Sequence, residues 1–436
     1  MKIGFISLGC AKNLVDSEMI LAILENAGCE IVQNEEDADA IFVNTCGFIE
    51  PAKEESRDTI KEMSRYGKKL IVVGCYAERY REQLLKEMPF IDRVITLADY
   101  PKIHLILNEV FNKEGLKFMP LKYENRLLAT SKFSPYIKIG EGCNNNCTYC
   151  AIPLIRGKFR SRPLDEVVNE CKKLVESGAK EINLISQDTT RFGRDLNPDK
   201  KSLLPELLKE ISLINGVKMI RILYLYPDEI SDELIVEVKN NPLVVPYFDI
   251  PIQHISSNVL KRMNRRGDEK FIKDLFKKIK DMIPEAILRT TYIVGFPGET
   301  EADFIQLFDF TEQVQFDRLG VFTYSKEEDT AAYDFEDEIP ESLKQERLDK
   351  IMKLQKKITR INNKKQVNKI HQVLVENYDP ESKFYYGRSY AFAPDDIDGM
   401  IVFQSKRDLE IGDFVNVLIT TSYGYDLIGD YIDEVR

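Results

Sequence analysis

The sequence predicts an α/β protein in three parts: an N-terminal parallel α/β sheet domain, a central open (βα)6 barrel, and a small C-terminal antiparallel β-barrel. Three observations carry that prediction. The chain has 436 residues, enough for about three domains at roughly 150 residues each. Apolar strand-like and amphipathic helix-like segments alternate in two separate runs, the pattern of parallel sheets covered by helices. After about residue 370 the hydrophobic period changes to two, the mark of short antiparallel strands.

In the first run, residues 3–8, 40–44, 70–73 and 94–96 read as strands, and helical patterns lie near 14–26, 53–66 and 78–86. A connecting stretch follows, punctuated by Gly115 and Pro120. The second run has candidate strands at 136–139, 181–186, 220–226, 247–252, 288–294 and 319–324. Between the first two, Leu164, Val167, Val168, Cys171, Leu174 and Val175 recur at helical spacing until Gly178 ends the helix. Six strand–helix units make an open barrel, since eight would close it. One long helix is expected from 341 to about 370, with Leu343, Leu348, Ile351, Leu354, Ile358 and Ile361 near one stripe. Short strands then follow at 371–376, 384–388, 400–403 and 414–419. The expected domains are 1–125, 130–367 and 368–436.

Composition excludes several classes. Hydrophobic residues make up 43% and charged residues 31%, which is ordinary for a globular chain and excludes wholesale disorder. No apolar run approaches the ~20 residues that span a bilayer. The start, Met1 to Ser7, lacks the long apolar stretch of a signal peptide, so a cytoplasmic protein without membrane contact is expected. The net charge of −11 leans away from a generic nucleic-acid binder. Residues 368–436 carry six Lys/Arg against thirteen Asp/Glu, while residues 341–367 carry nine against three. A basic helix thus feeds an acidic tail domain. Its bland reading is a solvated charged face on a packed helix.

Eight cysteines in a cytosolic chain point to metal binding or catalysis rather than disulfides. Cys143-Asn-Asn-Asn-Cys147-Thr-Tyr-Cys150 places three thiolates within eight residues, directly after the first barrel strand. That is the end of a barrel where active sites sit. Three such ligands can hold an iron–sulfur cluster and leave one iron open. A structural zinc site would want a fourth Cys or His nearby, and none is close in sequence. Cys10, Cys46 and Cys75 are far apart, yet each directly follows an apolar strand of the first sheet. Carboxyl ends of parallel strands share one edge, where ligands bind, so a second three-cysteine cluster is expected there. The alternative is three buried structural cysteines. Cys171, on an apolar stripe, and Cys29, at a strand start, read as structural. His254 ends a barrel strand and stays unassigned. His104 and His371 have no supporting context, and no Ser-His-Asp arrangement is visible.

The C-x3-C-x2-C spacing, with Tyr149 before its last cysteine, resembles the radical S-adenosyl-L-methionine (SAM) superfamily. The resemblance implies that the open iron binds SAM and that reduction yields a 5′-deoxyadenosyl radical. It implies that Tyr149 sits against the adenine and that Ser186 and Gln187 lie near the methionine moiety. Gly295, Phe296 and Pro297 would line the adenine site. Read alone, Gly295-Phe-Pro-Gly298 is a strand-to-helix turn with Thr300 as N-cap.

Over essentially the whole chain, the order of parts resembles the methylthiotransferase family, with a TRAM-like barrel at the C-terminus. The family implies two 4Fe–4S clusters, SAM as methyl donor and radical source, and a reductant such as flavodoxin or ferredoxin. One branch modifies an adenosine of tRNA. The other, the RimO type, modifies the β-carbon of an aspartate in small-subunit ribosomal protein twelve. Residues 7–18, beginning Ser7-Leu-Gly-Cys-Ala-Lys12, look like the RimO type, where the tRNA branch typically has Gln-Met-Asn after its first cysteine. Leu223-Tyr-Leu-Tyr-Pro227 looks alike, as does the stretch from Phe322 to Thr330, although Asp329 stands where that branch more often has Gly. The acidic C-terminal barrel agrees, since it would repel phosphates and attract a basic ribosomal protein. The basic helix keeps a tRNA substrate open as the alternative. A non-enzymatic iron–sulfur sensor explains the cysteines but not the barrel.

Overall fold

The computed structural model describes residues 1–395 and 397–433. The N-terminal sheet has five parallel strands, β1 (Lys2–Ser7), β2 (Glu30–Val32), β3 (Ala40–Thr45), β4 (Lys69–Gly74) and β5 (Arg93–Ile95), in the order β2-β1-β3-β4-β5. Strand β3 is buried along its whole length, as a central parallel strand covered on both faces must be. One face packs Ile3, Phe42 and Ile71 against the helix Ala11–Asn26 and the helix Ile103–Phe111. The other packs Ile41, Val43 and Val72 against Ile60 and Met63 of the helix Glu50–Ser64.

The central part begins with β6 (Tyr136–Lys138), and a short antiparallel hairpin of β7 (Gly140–Glu141) and β8 (Arg160–Ser161) brackets the cysteine loop. Then come β9 (Glu181–Ile185), β10 (Met219–Ile222), β11 (Tyr247–Asp249), β12 (Ile287–Val294) and β13 (Arg318–Thr323). All six expected barrel strands are present and parallel. They form two three-stranded sheets, β10-β9-β6 and β11-β12-β13. The sheets meet where Ile220 N–H donates to the Leu243 carbonyl at 2.7 Å and Val245 N–H donates back to Ile220 at 2.9 Å. Among the described residues no ladder joins β6 to β13, so the barrel is open. Its apolar layer between strands and outer helices includes Ile137, Ile182, Leu184, Leu207 and Phe276.

The helix Glu341–Lys364 runs along β13 and ends short of the expected residue 370. The chain is drawn off by the last barrel: Asn368 N–H donates to the Ile419 carbonyl at 2.8 Å, and Ile419 N–H donates to Lys369 at 2.9 Å. Strands β14 (Ile370–Asp379), β15 (Phe384–Arg388), β16 (Ile401–Gln404), β17 (Phe414–Tyr423) and β18 (Asp426–Ile432) close into a barrel in the order β14-β15-β16-β18-β17. This barrel meets the first residues of the central strands, with Tyr136 bonded to Asp395, Tyr247 to Asp398, and Glu181 to Arg388 at 2.7 Å. The opposite, carboxyl ends of those strands carry the cysteine loop. No helix among the described residues is long and apolar enough to cross a membrane.

Candidate active site

Cys10, Cys46 and Cys75 stand at the ends of β1, β3 and β4, and each has a glycine beside it. Those glycines let three chain ends converge. A Cβ on Gly9, whose φ is +89°, would lie 2.9 Å from the Cβ of Cys46 and 3.2 Å from its Sγ. On Gly47 it would lie 2.8 Å from the Cα of Tyr76. On Gly74, at φ +96°, it would lie 2.2 Å from Asn44 Oδ1. Any other residue meets backbone there or a strained conformation. Asn13 ties two of the turns, donating from Nδ2 to the Leu8 carbonyl at 2.7 Å and to the Thr45 carbonyl at 3.2 Å. Ser56 holds Cys46 by both its backbone N–H (3.0 Å) and its carbonyl (2.8 Å).

The second cysteine set lies on the loop between β7 and the helix Ile152–Arg156. Gly142 permits the tight entry, since a Cβ there would lie 2.4 Å from the Lys158 carbonyl. The Cys143 N–H donates to the Gly157 carbonyl at 3.1 Å. Farther along, Thr148 N–H donates to the Met263 carbonyl at 3.0 Å, and Thr148 Oγ1 to the Arg262 carbonyl at 2.9 Å. Asn145 Nδ2 donates to Asp188 at 2.7 Å. The loop is therefore anchored at both ends and in the middle.

Both sets open on one cavity of about 280 Å³, whose wall includes all six cysteines: Cys10, Cys46, Cys75, Cys143, Cys147 and Cys150. Sequence alone places them after strands of two separate sheets; their facing each other is a finding of the structure. Cys10 lines this space; burial raises its thiol pKa, but the charges of Lys12 and Arg156 together with backbone hydrogen bonds from Asn13 and Lys12 leave it below the usual value. Burial pushes the Cys75 thiol up to about 12 and the Cys143 thiol up to about 11. Thiols so held bind metal only by giving up a proton on loading. Among the described residues, no three His, Cys, Asp or Glu groups are gathered as a single-ion site. Cys29 and Cys171 are buried away from the cavity, as core residues.

Arg156 joins the two halves. It ends the short helix that follows the cysteine loop and donates from Nη2 to Cys75 Sγ at 3.2 Å. Its Nη1 pairs with Asp16 and Glu141, both at 3.0 Å, and Lys138 bonds the same two carboxylates. Arg265 Nη1 reaches Cys147 Sγ at 3.7 Å and Tyr149 Oη at 3.2 Å, while its Nη2 donates to the Pro251 carbonyl at 2.7 Å. Tyr226 Oη lies 3.7 Å from Cys147 Sγ. Neither Arg156 nor Arg265 carries a local sequence signal, because their partners are distant in the chain, whereas Tyr226 lies in the stretch 223–227 marked by the resemblance.

Of the expected SAM contacts, Tyr149 and Gln187 are on the cavity wall. Gln187 Oε1 accepts from Gly142 N–H and its Nε2 donates to Glu141, both at 2.9 Å. Ser186, Gly295, Phe296 and Pro297 stand behind the wall. Ser186 N–H donates to Thr189 Oγ1 at 3.1 Å. Gly295, at φ +72°, packs on Lys344. Phe296 is fully buried, its ring edge-on to Tyr149 at 6.4 Å. The Pro297 carbonyl accepts from Arg262 at 3.0 Å. Thr300 caps the following helix in a reciprocal box with Asp303. His254 is fully buried, its Nδ1 accepting from Ser256 N–H at 3.0 Å, and it does not line the cavity.

Three family models match the chain in order. Residues 2–96 match Uncharacterized protein family UPF0004, residues 137–311 the Radical SAM superfamily, and residues 367–432 the TRAM domain. The chain is 47% identical to the ribosomal protein uS12 methylthiotransferase RimO of Acetivibrio thermocellus, covering 99% of each chain. It is 48% identical to the protein of that name from Aquifex aeolicus, covering 98% of this chain and 97% of the relative. Among solved structures, it is similar in fold to the radical SAM methyltransferase TsrM from Kitasatospora setae. That match has a TM-score of 0.53 at 14% identity and covers 73% of this chain and 72% of TsrM.

Proposed function

The chain belongs to the RimO family of ribosomal protein uS12 methylthiotransferases, and from that premise we propose that it inserts a methylthio group at the β-carbon of an aspartate in that ribosomal protein. It is a radical SAM enzyme of the transferase class. The observation that carries the finer reading is the single cavity walled by six cysteines. Cys143, Cys147 and Cys150 would hold one 4Fe–4S cluster, and Cys10, Cys46 and Cys75 a second. Clusters held there would supply reductive cleavage of SAM to a carbon radical and the sulfur for insertion.

The protein's own part is alignment and exclusion of water. The glycine-lined turns bring Cys10, Cys46 and Cys75 to one rim. Arg265 fixes Tyr149 and stands beside Cys147, so a cation balances thiolate charge at that rim. Phe296 holds Tyr149 edge-on, and Gln187 ties the cysteine loop to Glu141. Ser186, Gly295 and Pro297 support the SAM site from behind. Ile152, Ile155 and Leu225 give the cavity apolar walls. A one-electron donor such as flavodoxin or ferredoxin completes the system, which works in the cytoplasm where ribosomes are.

Two measurements test this. Changing Cys10, Cys46 and Cys75 to Ala is expected to halve the iron taken up on anaerobic reconstitution; unchanged iron removes the second cluster. A strain lacking the gene is expected to lose one methylthio group from the ribosomal protein by intact mass. Loss of a methylthio-adenosine from tRNA instead overturns the substrate.

A further inference from the structure

Three cations line the cavity: Lys12, Arg156 and Arg265. Arg156 is committed to Asp16, Glu141 and Cys75, and Arg265 to Tyr149, Cys147 and the Pro251 carbonyl. Lys12 differs. Only 8% of it is exposed, and no carboxylate among the described residues pairs with its ammonium. Its Nζ sits 3.1 Å from the centre of the Tyr224 ring. A ring face stabilises an ammonium without occupying its hydrogen-bonding directions as a carboxylate would. The arrangement leaves a desolvated positive charge able to accept an anionic ligand.

Tyr224 is held for this purpose in an uncommon backbone conformation. Its φ is +63°, a region that a bulky residue occupies only where its surroundings enforce it. Two groups do so. Tyr224 N–H donates to Asp249 Oδ2 at 2.9 Å, and its carbonyl accepts from Thr189 N–H at 3.1 Å. Asp249 is itself fixed by Arg289 at 3.0 Å. Strain maintained at a cavity wall, beneath a buried cation that no carboxylate neutralises, points to a binding position. Lys12 and Tyr224 come from the two stretches, 7–18 and 223–227, that the sequence marks out together, and the fold sets one on the other.

We propose that the Lys12 ammonium on the Tyr224 ring binds a carboxylate, namely that of the substrate aspartate, and holds its β-carbon within the cavity. This rests on the function proposed above. The other carboxylate that enters such a cavity is the amino-acid end of SAM. Lys12 favours the substrate because it belongs to the Cys10 side and not to the Cys143 loop.

The test compares the ribosomal protein with its Asp→Asn variant at the modified position, using the reconstituted enzyme. Equilibrium binding of both, and of SAM, is measured for the wild type, Lys12→Met, Lys12→Arg and Tyr224→Phe. The wild type is expected to bind the Asp protein about ten- to a hundredfold tighter than the Asn protein, the usual worth of one charge-assisted contact. Lys12→Met is expected to bind the two alike and to keep its SAM affinity, with iron content read alongside because Lys12 also lowers the Cys10 thiol. Lys12→Arg and Tyr224→Phe, which keep the cation and the ring, are expected to retain most of the preference. If Lys12→Met still prefers Asp, or loses SAM binding instead, the assignment is overturned while the function stands. A Lys12→Met protein that loses iron makes Lys12 a counter-ion of the cysteine site and overturns it equally. A wild type that binds and modifies neither protein, yet cleaves SAM, overturns the function itself.

Discussion

His371 enters the last barrel as a buried residue, with Nδ1 3.0 Å from Ser389 Oγ and Nε2 3.2 Å from Gln366 Oε1. Burial, helped by the nearby charge of Lys369, lowers its pKa from 6.5 to about 4. The unfolded chain therefore takes up a proton that the folded one refuses. Stability is unaffected above about pH 6.5 and is lost as the pH falls from there toward 4. His371→Gln is expected to remove up to about 3 kcal/mol of that loss, read as a smaller drop in Tm between pH 6.5 and 4 than the wild type shows. A second single-residue prediction concerns Gly74. Alanine there meets Asn44 Oδ1 and a forbidden φ, so Gly74→Ala is expected to cost more than about 1 kcal/mol in thermal unfolding and to lower reconstituted iron. At this scale the sequence is partly legible. The cysteines announce themselves by spacing and by their place after apolar strands. Lys12 over Tyr224, or Arg156 on Cys75, has no local pattern, because each contact is made by the tertiary fold alone.

The turn after β13 shows what one element contributes. Glu327 is buried and pairs with Lys53 at 3.0 Å and with Arg79 at 2.8 Å, while Glu328 bonds Tyr80 at 2.6 Å. The stretch singled out from Phe322 to Thr330 is thus the strap that ties the central barrel to the first sheet. Asp329 adopts φ +62°, the conformation for which glycine is the usual choice, and the turn keeps its shape with Asp because Asp tolerates that region better than most residues. Lys53→Met leaves Glu327 with one cation fewer in a buried place. It is expected to lower stability by about 2–3 kcal/mol, discounted from a fully buried pair because Glu328 is half exposed. Urea unfolding and proteolysis between the two parts would register it. Element by element, long apolar strands were readable. Strand β2 shows only as the strand start at Cys29, and β18 interrupts its apolar positions with Asp426, Gly429 and Asp430, so it has no periodic signal to read.

At the scale of the whole molecule, the last barrel is locked to the central one by buried charge. Glu181 accepts from Arg388 at 2.7 Å and from Arg221 at 3.0 Å. Burial alone would raise its pKa, but the two guanidiniums hold it down at about 2. Its contribution is present above pH ~4.5 and fades as the pH falls toward 2. Glu181→Gln leaves buried Arg221 without its carboxylate and Arg388 with Glu376 alone, and is expected to cost about 3 kcal/mol, with faster proteolysis around residues 365–369 as the barrel detaches. Chain order and domain type are legible at this scale because composition and period change along the sequence. How the parts dock is not, because it depends on pairs such as Glu181 and Arg388.

Arg156 also sets an order of assembly in time. The first sheet leaves the ribosome well before residue 156 is made, and domains fold roughly in the order of synthesis. Until then Cys75 lacks the guanidinium that later lies 3.2 Å from its sulfur, and the rim bearing Cys10 and Cys46 has no facing wall. A nascent or truncated chain ending near 125 therefore presents three bare thiols to the solvent. The complete pocket exists only once the central barrel has closed over it, so the chain's maturation as a metalloprotein waits on its middle third.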